Sequence, residues 1–324
     1  MAKNTVKKIL FRTAGGLGKQ ILSTRIAKLI RENNPNAIIH VQTSYPEMYA
    51  NLDFIDRYFA LKPIPYFYND HIDFDVMETE IYTDLKYRQG KSHALETWAN
   101  RFGYKIKKDE IGGIIQLDEN EKIAGNQFIM QNKIDVSKLI AFQPFGGTSY
   151  YNPNDAQNVL RVKQARDLPL EKAQEIANLL IEEGYTVLQI SLPTEQKLNG
   201  CIHLPDTQNV LNPRFVISII NNCRYGIFID SFAQHAWKAL GKKDAIVLWG
   251  ATNPKSLGYD TNINLTTKKC DLQHCNRPNT WLGDYTGNDN IWKCLYNKKC
   301  MDFDAKTVVD SLLQTVKDND TKSS

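Results

Sequence analysis

Apolar positions along the chain keep switching between two rhythms. Residues 6–12 are a short apolar run that reads as a strand, although Lys7 and Lys8 interrupt it. A glycine-rich turn follows at residues 15–18. Ile21, Leu22, Ile26, Leu29 and Ile30 then recur at helical spacing with Lys and Arg between them, and Asn33, Asn34 and Pro35 end the pattern. Residues 37–42 are β-branched and read as the next strand. Strand, helix, strand in that order opens a parallel sheet. Residues 60–90 lose the rhythm, with Pro63, Pro65 and many Tyr and Asp residues. A helix is expected at about residues 92–102, and the polar stretch 133–138 reads as a linker.

The rhythm then restarts. Residues 139–143 form a strand running into Pro144, Phe145, Gly146 and Gly147. Ala173, Ile176, Ala177 and Leu180 mark a helix over 170–183, with Gly184 placed to stop it. Strands are expected at 186–191, 226–230 and 245–249. Helices are expected around 215–220, over 233–240 and over 305–316, with a polar, fraying tail from Lys317. Two α/β halves are therefore predicted, residues 1–135 and 136–324. In open parallel sheets ligands bind at the carboxyl ends of the strands, so the cleft between the halves is the expected site.

Composition narrows the class. With 42% hydrophobic and 23% charged residues over 324 positions, a folded protein of two domains is expected. A net charge of +4, without a dense basic tract, suits an anionic small ligand and argues against nucleic acid. No stretch approaches the roughly 18 apolar residues of a membrane helix. The N-terminal run reads as a strand and not as a signal peptide, so the cytoplasm is the expected compartment.

Three constellations carry chemistry. Gly15, Gly16, Leu17, Gly18 and Lys19 lie between the first strand and the first helix. This loop either brings bare backbone and a helix N-terminus to a ligand or is simply a tight turn. Leu17 and Ile21 break the dinucleotide fingerprint, and Thr13 and Gln20 break the P-loop. Asp230 and Ser231 end a strand, with His235 on the helix that follows. There Ser231 is placed to cap the helix through its hydroxyl, and the helix start can hold phosphate oxygens. Finally, Cys270, Cys275, Cys294 and Cys300 fall within 31 residues. Four thiolates can enclose a tetrahedral zinc or iron, with Trp281, Gly283 and Trp292 as walls. Reduced unbound cysteines or disulfides are the alternatives. Cys201 and Cys223 read as core residues.

The Asp-Ser-x-x-x-His unit, the Ala239 to Lys243 segment and the strand closing on Trp249-Gly250-Ala251-Thr252-Asn253-Pro254 together resemble glycosyltransferase family 9, the bacterial lipopolysaccharide heptosyltransferases. The opening glycine loop and the passage from Ala141 through Arg166-Asp167-Leu168-Pro169 are also similar to that family. The resemblance implies a GT-B fold of two Rossmann-like domains, the acceptor on the first and a nucleotide-sugar donor, ADP-linked or another, on the second. It implies donor contacts at Gly146, Gly147, Arg166, Ser191, Glu195, Asp230, Ser231, Phe232 and His235. Asp230 would bind the donor sugar, Arg166 the phosphates and Glu195 the ribose. No catalytic cofactor is implied. A Cys-rich segment like 270–300 resembles that of the autotransporter heptosyltransferases, which hold iron and modify protein.

One position departs from the pattern. The family's loop carries an Asp, its proposed general base, where this chain has Lys19. A protonated Lys cannot accept a proton. Lys19 would instead stabilise the leaving diphosphate or hold an anionic acceptor. The base would then come from Asp70, His71, Asp73, Asp75, Glu80 or Asp84, unless that cluster is only a solvated loop. Lys19, Arg166 and Asp230 are the expected catalytic residues, and the acceptor is a hydroxyl on a glycan or protein. A non-catalytic nucleotide-sugar binder and a GT-B-like nucleotide-sugar epimerase are the alternative functions.

Overall fold

The computed structural model describes residues 6–146, 166–193, 195–205, 212–275, 294 and 296–323. The first half contributes β1 (Lys8–Thr13), β2 (Ile38–Thr43), β3 (Arg57–Ala60) and β4 (Asp75–Glu78), an all-parallel sheet in the order β3-β2-β1-β4. The second contributes β5 (Leu139–Gln143), β6 (Thr186–Gln189), β7 (Ile202–His203), β8 (Tyr225–Ile229), β9 (Ile246–Trp249) and β10 (Ile263–Thr266), also parallel, in the order β10-β9-β8-β5-β6-β7. Counted from its own first strand, that is the order 3-2-1-4-5-6 of a dinucleotide-binding domain.

The irregular segment of the sequence begins at the end of one unpredicted strand, β3, and holds another, β4. β3 and β4 are short, lie at the sheet edges and are largely exposed, so neither shows apolar alternation. The helix Glu119–Gln131 also escaped notice, although Asp118 and Glu121 form a capping box ahead of it. Helices expected near 92–102 and 170–183 are found at Ala94–Arg101 and Leu170–Glu182. The expected fraying tail is instead part of a helix running from Ala305 to Ser323. Among the described residues no helix is long and apolar enough to cross a membrane.

Side chains of β5 alternate between two cores. Leu139 and Ala141 face one cluster, while Ile140 and Phe142 face another under the helices Leu170–Glu182 and Ala305–Ser323. The first cluster does not stop at the boundary between the halves. It runs from Ile9, Phe11 and Trp98 to Phe228, Trp237 and Trp249. Helix Glu119–Gln131 packs on helix Pro213–Asn222, and helix Leu17–Asn33 packs on helix Phe232–Ala239. Gly125 permits the first of these contacts, since a Cβ there would stand 2.7 Å from the Ser218 carbonyl oxygen. Arg214 fastens the same seam. Its buried guanidinium donates to both carboxylate oxygens of Glu121 and to the carbonyls of Gln116 (2.6 Å) and Glu47 (3.1 Å).

Candidate functional site

Each sheet has a topological switch point, where strand order reverses and a crevice opens at the carboxyl ends. In the first sheet it lies between β1 and β4, in the second between β5 and β8. Lys19 follows β1 and Glu80 follows β4. Gly146 follows β5 and Asp230 follows β8. The two crevices therefore carry the charged residues of the site.

On the second half, Asp230 is buried at the tip of β8. Burial pushes its carboxyl above the usual carboxylate range, against the opposing pull of the Arg166 charge and a Thr252 hydrogen bond. Arg166 Nη1 donates to the Asp230 carbonyl at 3.0 Å, while its buried Nε finds no partner among the described residues. Asp167 Oδ1 accepts the Gly146 amide at 2.6 Å, which folds the loop after β5 against Arg166. Gly147 lies outside the described residues.

Ser231 occupies the N-cap of helix Phe232–Ala239, but its hydroxyl does not make the expected cap. It accepts from Gln143 Nε2 at 3.1 Å, and Gln143 Oε1 in turn accepts the Ala233 amide at 3.3 Å. A side chain from the neighbouring strand thus does the capping, a role that sequence adjacency cannot reveal. Ser191 is half-buried beyond β6. Glu195 is buried and accepts the Leu192 amide at 2.9 Å, so it ties its own loop together.

On the first half the glycine loop is shaped by protein contacts. Gly15 has φ +128°, and a Cβ there would sit 2.8 Å from Lys19 Cδ. Gly18 meets His235 across the seam, where a Cβ would lie 2.8 Å from His235 Cδ2 and 3.6 Å from Phe232 Cα. Gly18 thus admits a side chain of the other half. Gly16 is the N-cap of helix Leu17–Asn33, and Leu17 packs partly buried against the core.

Lys19 is buried and does not stand free for an anion. Its Nζ donates to Glu80 Oε2 at 2.9 Å and lies 5.0 Å from the Tyr82 ring and 5.6 Å from the Trp98 ring. Burial pushes the phenols of Tyr82 and Tyr87 up, and both also feel the charges of Glu80, Asp230 and Arg166. The charges of the two crevices therefore converge on these two tyrosines. The rest of the acidic cluster disperses. Asp73 pairs with Lys8, Asp84 caps the turn Leu85–Arg88 and pairs with Arg101, and His71 is buried against His40. Asp70 and Asp75 are exposed. Tyr82, Tyr87 and Gln143 carried no signal in the sequence.

Cys270 and Cys300 are buried, and Cys275 and Cys294 half-buried. Burial, then the charges of Cys270, Cys275 and Cys294, pushes the Cys300 thiol up to about 12. The four are thus neighbours, but among the described residues no group of three or more ligating side chains is arranged to hold a metal ion. Trp281, Gly283 and Trp292 lie outside the described residues.

Two buried histidines flank the seam. His235 Nδ1 lies 2.6 Å from the Tyr259 hydroxyl, and burial lowers its pKa to about 3, helped by His93 and Arg166. His93 Nδ1 accepts the Leu95 amide at 3.1 Å, a cap that needs the neutral ring, and burial lowers its pKa to about 4. Both values lie below the unfolded 6.5, so between them the unfolded chain binds more protons. This stability is complete above pH 6.5 and is lost as pH falls towards 3. Asp230 acts in the opposite sense, because its raised pKa favours the fold in acid and the benefit fades as pH rises through it. The two histidines alone would remove about 6 kcal/mol by pH 4 and Asp230 returns part of this, so a net loss of stability in acid is expected. Urea unfolding at pH 7.5 and at pH 4.5 checks this. A flat profile would show that the rings are hydrated.

No protein-family model and no curated protein matches the sequence. Solved structures do match. A glycosyl transferase of family 9 from Veillonella parvula superposes with a TM-score of 0.64 at 13% identity, covering 97% of this chain and 98% of that one. The ADP-heptose lipopolysaccharide heptosyltransferase II of E. coli gives 0.61 at 14%, with 97% and 100% covered. TibC, a dodecameric iron-containing heptosyltransferase solved with ADP-D-β-D-heptose, gives 0.63 at 11%, with 97% and 80% covered. The chain therefore has the GT-B fold, two Rossmann-like units with their strand ends opposed.

Proposed function

We propose that this chain, built on the fold of the family 9 glycosyltransferases, moves a sugar from a nucleotide-diphosphate sugar to an acceptor hydroxyl, with inversion. The observation that carries this reading is the pair of facing switch points, one holding Arg166 and Asp230 and the other Lys19 and Glu80. Residues 136–324 hold the donor on this reading, and residues 1–135 the acceptor. Arg166 and the amides opening helix Phe232–Ala239 grip the diphosphate, where negative charge grows as the bond to the sugar breaks. Asp230 orients the sugar hydroxyls. An ADP-linked heptose is the first candidate donor, since two of the similar structures are described with ADP-heptose. The acceptor is a glycan or a protein, in lipopolysaccharide or glycoprotein assembly.

The thiols of Cys270, Cys275, Cys294 and Cys300 would hold a structural zinc or iron. An all-sulfur donor set suits either ion, and the Lys298 amide donates to Cys294 Sγ at 3.4 Å. Elemental analysis of the purified protein tests this. Less than about a tenth of an equivalent of either metal would reject the assignment.

A melting screen against nucleotide sugars tests the main reading. A donor present at a hundredfold excess over its Kd stabilises the fold by about 2.7 kcal/mol. The expected result is a selective rise with one nucleotide sugar, followed by release of nucleoside diphosphate. Isomerised donor in place of release would identify an epimerase, and a rise without turnover a binding protein. If no nucleotide sugar raises the melting temperature at saturation, the donor site is misread.

A further inference from the structure

We infer that Glu80 accepts the acceptor's proton, and that Lys19, on the glycine loop after β1, serves to hold Glu80 in place. The inference rests on the transferase reading above. Lys19 is buried to within 3% of full exclusion, while the Glu80 side chain it grips is 52% exposed. The ammonium is therefore the fixed partner, and the carboxylate is the group presented to the crevice. A backbone bond fixes the other oxygen, since Glu80 Oε1 accepts the Tyr82 amide at 2.9 Å. Each carboxylate oxygen still has a lone pair for a further donor. The ring faces of Tyr82 and Trp98 hold the Lys19 ammonium from two sides.

A second observation places a ligand beside this pair. The Tyr87 hydroxyl is fully buried and finds no hydrogen-bond partner among the described residues. It lies within the field of Glu80, Asp230 and Arg166 together. Buried hydroxyls are rarely left without a partner, so this one marks a place for polar ligand atoms between the two crevices. The backbone of Tyr87 is fixed from the other half, where Ser256 Oγ donates to its carbonyl at 2.8 Å. Of the cluster, Asp84 is taken up in capping the backbone of this turn and pairing with Arg101, whereas the Glu80 charge acts on the Tyr87 hydroxyl.

In the transfer step the acceptor oxygen bonds to the anomeric carbon as the bond from that carbon to the phosphate oxygen breaks. That electron pair leaves with the diphosphate, and the acceptor's proton passes to Glu80. The exposed side of Glu80 then returns the proton to water. With water as the acceptor, the same step is slow hydrolysis of the donor and needs no knowledge of the natural acceptor.

The test measures release of ADP from ADP-D-β-D-heptose by the full chain, beside the melting shift that this compound causes. Glu80→Gln should keep the shift and lower release by about 100-fold or more, within the range for loss of a general base. Lys19→Asp combined with Glu80→Gln puts a carboxylate beside the position that Glu80 vacates and should recover at least about tenfold of that loss. Release by Glu80→Gln at the parent rate, or a loss of release matched by a loss of the shift, overturns the assignment while leaving the transferase reading intact. Failure of the double variant to recover any activity also overturns it. A parent that shows neither shift nor release with this compound or with any other nucleotide sugar of the melting screen removes the transferase reading itself, and this inference with it.

Discussion

Replacing Arg166 by alanine is expected to weaken nucleotide-sugar binding by about 100-fold, with Arg166→Lys in between. The guanidinium sits at the second switch point, where Nη1 holds the Asp230 carbonyl and the buried Nε lacks a partner among the described residues. Hydrogen bonds from a cation to phosphate contribute about 1.5–3 kcal/mol each, so losing two of them reaches this size. Lysine keeps the charge but loses the planar fork. Removing the cation also changes Asp230. Its carboxyl is already raised by burial and is drawn back down by Arg166, so in the alanine variant it moves further towards the neutral acid. Titration calorimetry with the donor found by the melting screen would measure the loss. An unchanged affinity would take the phosphate role away from Arg166.

The second large effect is mechanical. Arg214→Met should destabilise the chain by about 3 kcal/mol and also slow any transfer the parent performs. The side chain is 4% exposed, and its partners Glu121, Gln116 and Glu47 all lie on the first half. Methionine fills much of the volume, so the cost comes from leaving Glu121 and two carbonyls without their donor. Glu121 is 21% exposed and regains some water, which keeps the cost at the lower end for breaking a buried pair. Salt should change the difference little, because the pair is screened from solvent. Urea unfolding of the variant and the parent at two salt concentrations decides the matter. If their midpoints coincide, the apolar seam alone holds the halves, and Arg214 has no part in keeping Lys19 and Glu80 opposite Arg166 and Asp230.

Most of the fold was legible because its strands are buried on both faces and its helices are amphipathic. β5 was read at its observed limits, and the helices near residues 94, 170 and 232 to within two residues. What escaped detection lies where burial is partial. β3 and β4 are exposed edges, so the sheet that places Glu80 could not be completed from the pattern. Ser231 was correctly placed at a helix start, yet its expected cap is made by Gln143, 88 residues away. Propensity describes a position, whereas the choice of hydrogen-bond partner depends on which strand lies beside it.

The charges at the seam divide in the same way. Sequence alone determined that two α/β halves each open on a glycine turn, and that Lys19 closes the first of these turns. Local spacing is sufficient for both, because a helix or a turn is decided within a few residues. Only the tertiary structure decided what Lys19 does. Its partner Glu80 is 61 residues away, at the end of an edge strand. Ion pairing depends on distances of a few ångströms, and those are set when the sheet order brings β1 and β4 together. The same packing seats Gly18 under His235 and carries one apolar cluster across both halves. Residues that looked like a ligand loop thus also serve as part of the joint between the halves.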